Sequence, residues 1–168
     1  EDQSIVDSGL AIMKDCKYPV FYLPGNCDIL QGRYQQTAAA YTRNFGKLSN
    51  RVDFQDFSVV TLFNVLIPDS NQIPQYDFLS VLDSLLKTKP KGNTVLVFQH
   101  IPVTQDFYQN SFHKTWSDEQ TKRYKTLLGA GRVVGLISGH FHRDEFYSLG
   151  SLPCYVSPPI SGNWGIKG

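Results

Sequence analysis

Blocks of apolar residues with helical spacing alternate along the chain with short continuous apolar runs. Apolar spacing, or an alanine-rich centre, predicts helices at residues 4–16, 34–45, 76–86 and 118–128. Apolar runs that end in turn residues predict buried strands at residues 18–23, 94–98 and 133–137. A long strand or tight strand pair is expected at 57–67, and two short strands at 145–149 and 154–156. This alternation predicts an α/β layered domain with a largely parallel core.

The helix predicted at residues 118–128 carries its own start signal. Ser117 is followed three residues later by Gln120. That spacing is typical of a capping box, in which each side chain bonds to the backbone N–H of the other residue. We therefore expect this helix to begin directly after Ser117.

Length and charge limit the possible functions. The chain has 168 residues and a mass of 19.0 kDa, which predicts a single domain over residues 1–168. Sixteen Lys and Arg residues against fifteen Asp and Glu leave a net charge of +1, so we do not expect general nucleic-acid binding, which needs a basic surface. No apolar run approaches the roughly 20 residues that a membrane-spanning helix requires. The oligomeric state is not predicted.

The cysteines form neither a CxxC metal pattern nor a disulfide framework, because Cys16, Cys27 and Cys154 are odd in number and irregular in spacing. This usage favours a reducing, cytoplasmic compartment. The sequence leaves a single bridge between Cys16 and Cys154 open.

Potential metal ligands follow three of the predicted strands. They are the run Asn26-Cys27-Asp28, then His100, and then the pair His140 and His142. In open α/β sheets, ligands gather at the carboxyl ends of the strands. Imidazole nitrogen with amide oxygen suits Mn, Fe, Zn or Ni, and such mixed ligand sets are used in hydrolytic two-metal sites. Taken singly, the first run is also explained as a turn and His100 as a buried core histidine.

Three motifs then carry a family resemblance. In order, Gly25-Asn26-Cys27-Asp28, Gln99-His100-Ile101-Pro102 and Gly139-His140-Phe141-His142 resemble the last three motifs of the calcineurin-like metallophosphoesterases. The resemblance implies a four-layer α/β/β/α sandwich that hydrolyses phosphomonoesters, phosphodiesters or nucleotides with two divalent metal ions and a metal-bound hydroxide. It also implies that Asn26, His100 and His140 bind one metal ion and that His142 binds the other.

Two departures from the family pattern affect this interpretation. The family's first motifs, DxH and GDxxD, are absent from the chain. The chain therefore resembles the C-terminal part of such a domain without its N-terminal strands, and we expect both motifs upstream of Glu1. Alternatively, a second chain supplies the segment, or the protein is a degenerate relative of the family.

The second departure is Cys27, which stands where most family members carry the histidine that protonates the leaving group. We assign Cys27 and Asp28 to the catalytic set, with Asp28 orienting the loop or a ligand. A small buried residue under the metal loop is the alternative for Cys27.

Two residues are candidates for substrate binding. Arg143 follows the last motif and is expected to contact phosphate, although a solvated surface arginine also fits. His113 lies in an aromatic-rich loop at residues 104–116, which either stacks on a nucleobase or packs as a lid. Residues 157–164 also follow the metal motifs and are expected near the pocket.

Three functions follow from these observations. The first is a phosphoric ester hydrolase acting on a small phosphate ester or nucleotide. The missing motifs and Cys27 favour a second, a non-catalytic interaction module that keeps the same scaffold. A domain that binds one metal ion through Asn26, His100 and His140 is the third.

Overall fold

The computed structural model describes residues 3–66, 73–104, 106–108, 111–113 and 116–159, with the backbone alone at 106–108 and 111–113. Its helices are α1 (Gln3–Lys14), α2 (Tyr34–Phe45), α3 (Phe78–Lys87) and α4 (Asp118–Ala130). Its strands are β1 (Asn50–Asp53), β2 (Phe57–Leu62), β3 (Thr94–Gln99), β4 (Asp106–Tyr108), β5 (Ser111–His113), β6 (Val133–Ser138), β7 (Glu145–Leu149) and β8 (Leu152–Val156).

Six of these strands form one sheet in the order β1-β2-β3-β6-β8-β7, and β4 pairs with β5 in a separate hairpin. The four central strands are parallel, while β1 and β7 pair antiparallel at the edges. Mixed α/β architecture is thereby confirmed, and it agrees with the predicted sandwich without its N-terminal strands.

The register brings the carboxyl ends of the central strands to one edge. Leu62 pairs with Gln99, Gln99 with Ser138, and Ser138 with Val156, and each is the last residue of its strand. Whatever follows these four residues therefore lies at the same edge of the sheet, which is where ligands bind in this kind of sheet.

One face of the sheet is buried along its central strands. Along β3, residues Val95, Val97 and Gln99 are buried, and they alternate with half-buried neighbours, as the two-residue period of a strand requires. The buried face packs with α3 and α4 in the larger apolar cluster. A smaller cluster lies under α2 and includes Ile29 and Phe63.

Helix starts follow from local capping chemistry. The Ser117 side chain accepts from Gln120 N at 3.1 Å and Gln120 Oε1 accepts from Ser117 N at 3.0 Å, so the predicted capping box is confirmed. Helix α3 begins at Phe78, two residues later than predicted, because the Asp77 carboxylate accepts from the N–H groups of Leu79 and Ser80 and thereby caps it.

The buried strand predicted at residues 18–23 is wrong. The segment is described but forms no strand, and the side chains of Tyr18 and Phe21 are 80% and 46% exposed. Apolar content suggested a strand, but a strand also needs a backbone partner, and none of the described strands pairs with this segment.

Four other strands differ from the prediction. The strand expected at 57–67 ends at Leu62, and residue 67 lies outside the described residues. Strand β1 and the β4–β5 hairpin were not predicted, because their short sequences lack a clear apolar pattern. Across the described part of the chain, no helix has the length and apolar character needed to cross a membrane.

Candidate metal centre

The first loop of the site is a tight turn built around Asp28. The Asp28 carboxylate accepts from Gly25 N at 2.8 Å, and Gly25 O accepts from the N–H groups of Asp28 and Ile29, both at 3.1 Å. Ile29 is fully buried and anchors the end of the turn in the core. The side chain of Asn26 is exposed. It extends from the turn toward the edge of the sheet where β3 ends and reaches His100.

His100 and His140 extend from two neighbouring parallel strands. His100 directly follows β3, and Gly139-His140 directly follows β6. Gly139 N donates to His100 O at 3.2 Å, which ties the two loops together beyond the end of the sheet. Pairing of β3 with β6 therefore places the two imidazoles side by side, with ring centroids 4.9 Å apart.

Three predicted ligand atoms converge on one point. Asn26 Oδ1 lies 2.7 Å from His100 Nε2. His140 Nδ1 lies 3.2 Å from His100 Nε2 and 3.3 Å from Asn26 Oδ1. The three residues are separated by 74 and 40 positions in the sequence, so only the fold brings them together. We call this set the Asn-His-His triangle.

The spacing of the triangle fits a divalent metal ion. Ligand atoms that bind zinc at about 2.0–2.2 Å lie about 3–3.5 Å from one another. Two of the three separations, 3.2 and 3.3 Å, fall in this range, and Asn26 Oδ1 and His100 Nε2 are closer, at 2.7 Å. Two imidazole nitrogens and an amide oxygen match the preferences of Zn, Mn, Fe or Ni. Among the described residues, no group of three or more His, Cys, Asp or Glu is placed to hold a metal ion. The triangle is not such a group, because its third member is an asparagine.

The triangle keeps His100 uncharged. Burial, together with the neighbouring His140 and His142, lowers the pKa of His100 to about 3. His100 is therefore neutral near pH 7, which is the protonation state in which an imidazole binds a metal ion. A neutral imidazole has a lone pair available for a cation.

The loop after β6 has an unusual backbone. His140 and His142 have φ angles of 74° and 54°, in the left-handed region that favours glycine. Such strained residues concentrate at functional sites. His142 is near enough to contribute to the lowered pKa of His100, but within the described structure no hydrogen bond joins it to the triangle.

The remaining predicted site residues lie around this loop. Cys27 is exposed, so the alternative of a small buried residue does not hold, and all three cysteines are free, so Cys16 and Cys154 form no bridge. Arg143 Nε and Nη2 donate to Glu145 Oε2 at 2.7 and 2.6 Å, and its guanidinium lies 4.6 Å from the Phe141 ring centroid.

The predicted aromatic loop is described only in part. The side chain of His113 and residues 160–164 lie outside the described residues. Trp116 is buried, contacts the rings of Phe78 and Tyr124, and donates from Nε1 to Pro102 O at 2.9 Å. Trp116 is therefore part of the core.

Sequence reasoning missed Asn64, a fully buried residue that bonds to the backbone of the His100 loop. The signal that could have found it is a polar amide inside the apolar run Leu62-Phe63-Asn64-Val65-Leu66. A buried amide needs partners, and such a residue just beyond a strand is a candidate for holding a neighbouring loop.

Comparison with known proteins gives one family match. A family model described as calcineurin-like phosphoesterase matches residues 4–144. No curated protein sequence matches the chain. A solved structure described as "GAP50 the anchor in the inner membrane complex of Plasmodium" is 18% identical with a TM-score of 0.44, and the alignment covers 66% of this chain and 36% of that one. The chain thus spans about a third of the length of that structure.

Proposed function

The chain belongs to the calcineurin-like phosphoesterase family, and we propose that it is a metal-dependent phosphoesterase acting on a small phosphate ester or nucleotide. The observation that carries the proposal is the convergence of Asn26 Oδ1, His100 Nε2 and His140 Nδ1 to within 3.3 Å of one another. Three residues of metal-ligand types converge from three separate loops, and their convergence has no evident packing purpose.

In this proposal the triangle holds one divalent ion and His142 contributes to a second. When bound, the two ions activate a water molecule and stabilise the charge that develops on the phosphate oxygens. Asp28 fixes the turn that presents Asn26, through its bond from Gly25 N. Arg143 contributes positive charge beside the last motif, where it also bonds to Glu145.

We further propose that Cys27 occupies the position of the leaving-group acid. Its thiol is exposed in the same turn as Asn26. A thiol is a weak hydrogen-bond donor, so substrates whose leaving groups depart without a proton are expected to react best. His113 is kept as a candidate substrate contact.

A metal titration of the full-length protein tests the proposal, with Zn²⁺ and Mn²⁺ as probes. We expect tight binding that weakens by about 10–100-fold or more in Asn26→Ala, His100→Ala and His140→Ala. Asn44→Ala is the matched control, because Asn44 lies on α2 and bonds to Ala40 O, away from the triangle. Hydrolysis of bis(p-nitrophenyl) phosphate by the metal-loaded full-length protein is the second measurement, and we expect at least a roughly 100-fold loss in the two histidine variants.

Each other outcome points to one of the alternatives. Binding of one metal ion without hydrolysis supports the single-metal domain. No metal binding supports the interaction module. Equal loss in Asn44→Ala contradicts the location of the site.

A further inference from the structure

The loop that carries His100 is held by a buried asparagine. Asn64 lies just beyond β2 and is fully buried. Its Oδ1 accepts from His100 N at 3.2 Å and from Ile101 N at 2.9 Å, and its Nδ2 donates to Ile101 O at 2.8 Å. One side chain therefore replaces the backbone partner that a neighbouring strand would otherwise give this loop.

These bonds act on both sides of the His100 Cα atom. The N–H of His100 belongs to the peptide plane before that atom, and the N–H of Ile101 belongs to the plane after it. Because peptide units are planar, holding both planes limits the φ and ψ angles of His100. The direction in which the imidazole leaves the backbone is then set largely by Asn64.

Other buried side chains hold the same loop. Gln99 Nε2 also donates to Ile101 O, at 2.9 Å, and Gln99 Oε1 accepts from the Tyr124 hydroxyl. Among these groups, Asn64 is the one that bonds to both peptide planes of His100. Because Gly139 N donates to His100 O, the bonds from Asn64 also affect the loop that carries His140.

We propose that Asn64 is a positioning residue that holds His100, and through it the Asn-His-His triangle, in the geometry that binds the metal ion. This inference rests on the proposed function, because it assumes that the triangle is a metal site. Residues that orient metal ligands without touching the metal typically change affinity by about 10–100-fold when they are replaced. Asn64 acts here on the ligand's backbone.

The test compares Zn²⁺ affinity with folding stability in four proteins. Asn64→Leu has a similar volume but removes all three bonds. Asn64→Asp keeps an acceptor for the two N–H groups but loses the donor to Ile101 O. That carbonyl oxygen still accepts from Gln99 Nε2. Asn93→Leu is the matched control, because Asn93 is 4% exposed and bonds to Phe54 O and Ser58 Oγ, at the opposite end of the sheet. The wild-type chain is the reference.

We expect Asn64→Leu to raise the Kd for Zn²⁺ by about 10–100-fold, and Asn64→Asp to raise it less. Asn93→Leu should lower the midpoint of denaturant unfolding but leave the Kd unchanged. A merely structural role for Asn64 predicts the same pattern in both leucine variants, which would overturn the inference. If Asn64→Leu does not fold, Asn64→Ala decides, because it also removes the acceptor for both N–H groups, and a wild-type Kd in that variant overturns the inference.

Failure of the two proposals gives different results. If the wild-type chain binds no Zn²⁺, the proposed metal site is wrong and the role of Asn64 is wrong with it. If the wild-type chain binds Zn²⁺ and Asn64→Leu binds it equally well, only the role of Asn64 is wrong.

Discussion

At the scale of single residues, the candidate metal centre depends on a glycine. A Cβ atom added to Gly25 would lie 2.8 Å from His100 Cε1 and 3.0 Å from His100 Nδ1. Gly25 therefore lets the imidazole lie against the backbone of the turn that carries Asn26. The contact explains how Asn26 Oδ1 and His100 Nε2 approach to 2.7 Å.

Gly25→Ala should displace the His100 ring, because contacts below about 3 Å are not tolerated between packed carbon atoms. We expect the Kd for Zn²⁺ to rise by about tenfold or more, measured by calorimetric titration. Gly139→Ala is the control, since its added Cβ would meet His100 Nδ1 at an ordinary 3.7 Å. Similar losses in both variants would argue against a specific role for the space at Gly25.

Sequence reasoning identified the candidate ligands but missed the residue that holds one of them. His100 and His140 were predictable because each follows a parallel strand, and the carboxyl ends of such strands share one edge. Asn26 was chosen by the same argument, but the segment before it forms no strand. The spacing of the three atoms was not predictable, because it depends on the register of β3 against β6 and on the turn at Asp28. Asn64 has no motif around it, and only the structure gives its partners.

At the scale of elements, the parts set by local chemistry were the most predictable. Helix α2 spans the predicted residues, and α4 begins where Ser117 and Gln120 indicate. Strands β3 and β6 match within a residue, because buried parallel strands are continuous apolar runs. The prediction of a strand at 18–23 was wrong, because an apolar run becomes a strand only where another strand pairs with it.

Ser117→Ala should destabilise the protein by about 1 kcal/mol, since it leaves the N–H of Gln120 without its cap. The free energy of unfolding is measured by denaturant titration. Ser84→Ala is the control, because Ser84 is an exposed residue in the middle of α3, where alanine is at least as good a helix former. A loss in Ser84→Ala as large as in Ser117→Ala would contradict the capping explanation.

At the scale of the whole molecule, packing is uneven. Helix α3 buries Phe78, Leu79, Leu82 and Leu86, whereas α1 buries no residue at all. Ile5 and Ile12 on α1 are 71% and 74% exposed. Helices shorter than about 12–15 residues gain most of their stability from packing, so in the isolated chain α1 has little to hold it.

Amide hydrogen exchange of the isolated chain should therefore separate the two helices. We expect the amides of α1 to exchange through local opening at a small fraction of the global unfolding free energy. The amides of α3 should approach the protection of the central strands. Equal protection of α1 and α3, measured by mass spectrometry or NMR, would show that α1 is packed in solution.

In the loop after β6, two residues that the proposed function requires also lower the stability of the protein through their backbone conformation. A residue with a side chain in the left-handed region costs about 1–2 kcal/mol compared with glycine, and both His140 and His142 lie there. An engineer who sought a more thermostable protein by placing glycine at positive φ would choose these two positions early. Each replacement would relieve backbone strain and remove an imidazole from the candidate metal centre.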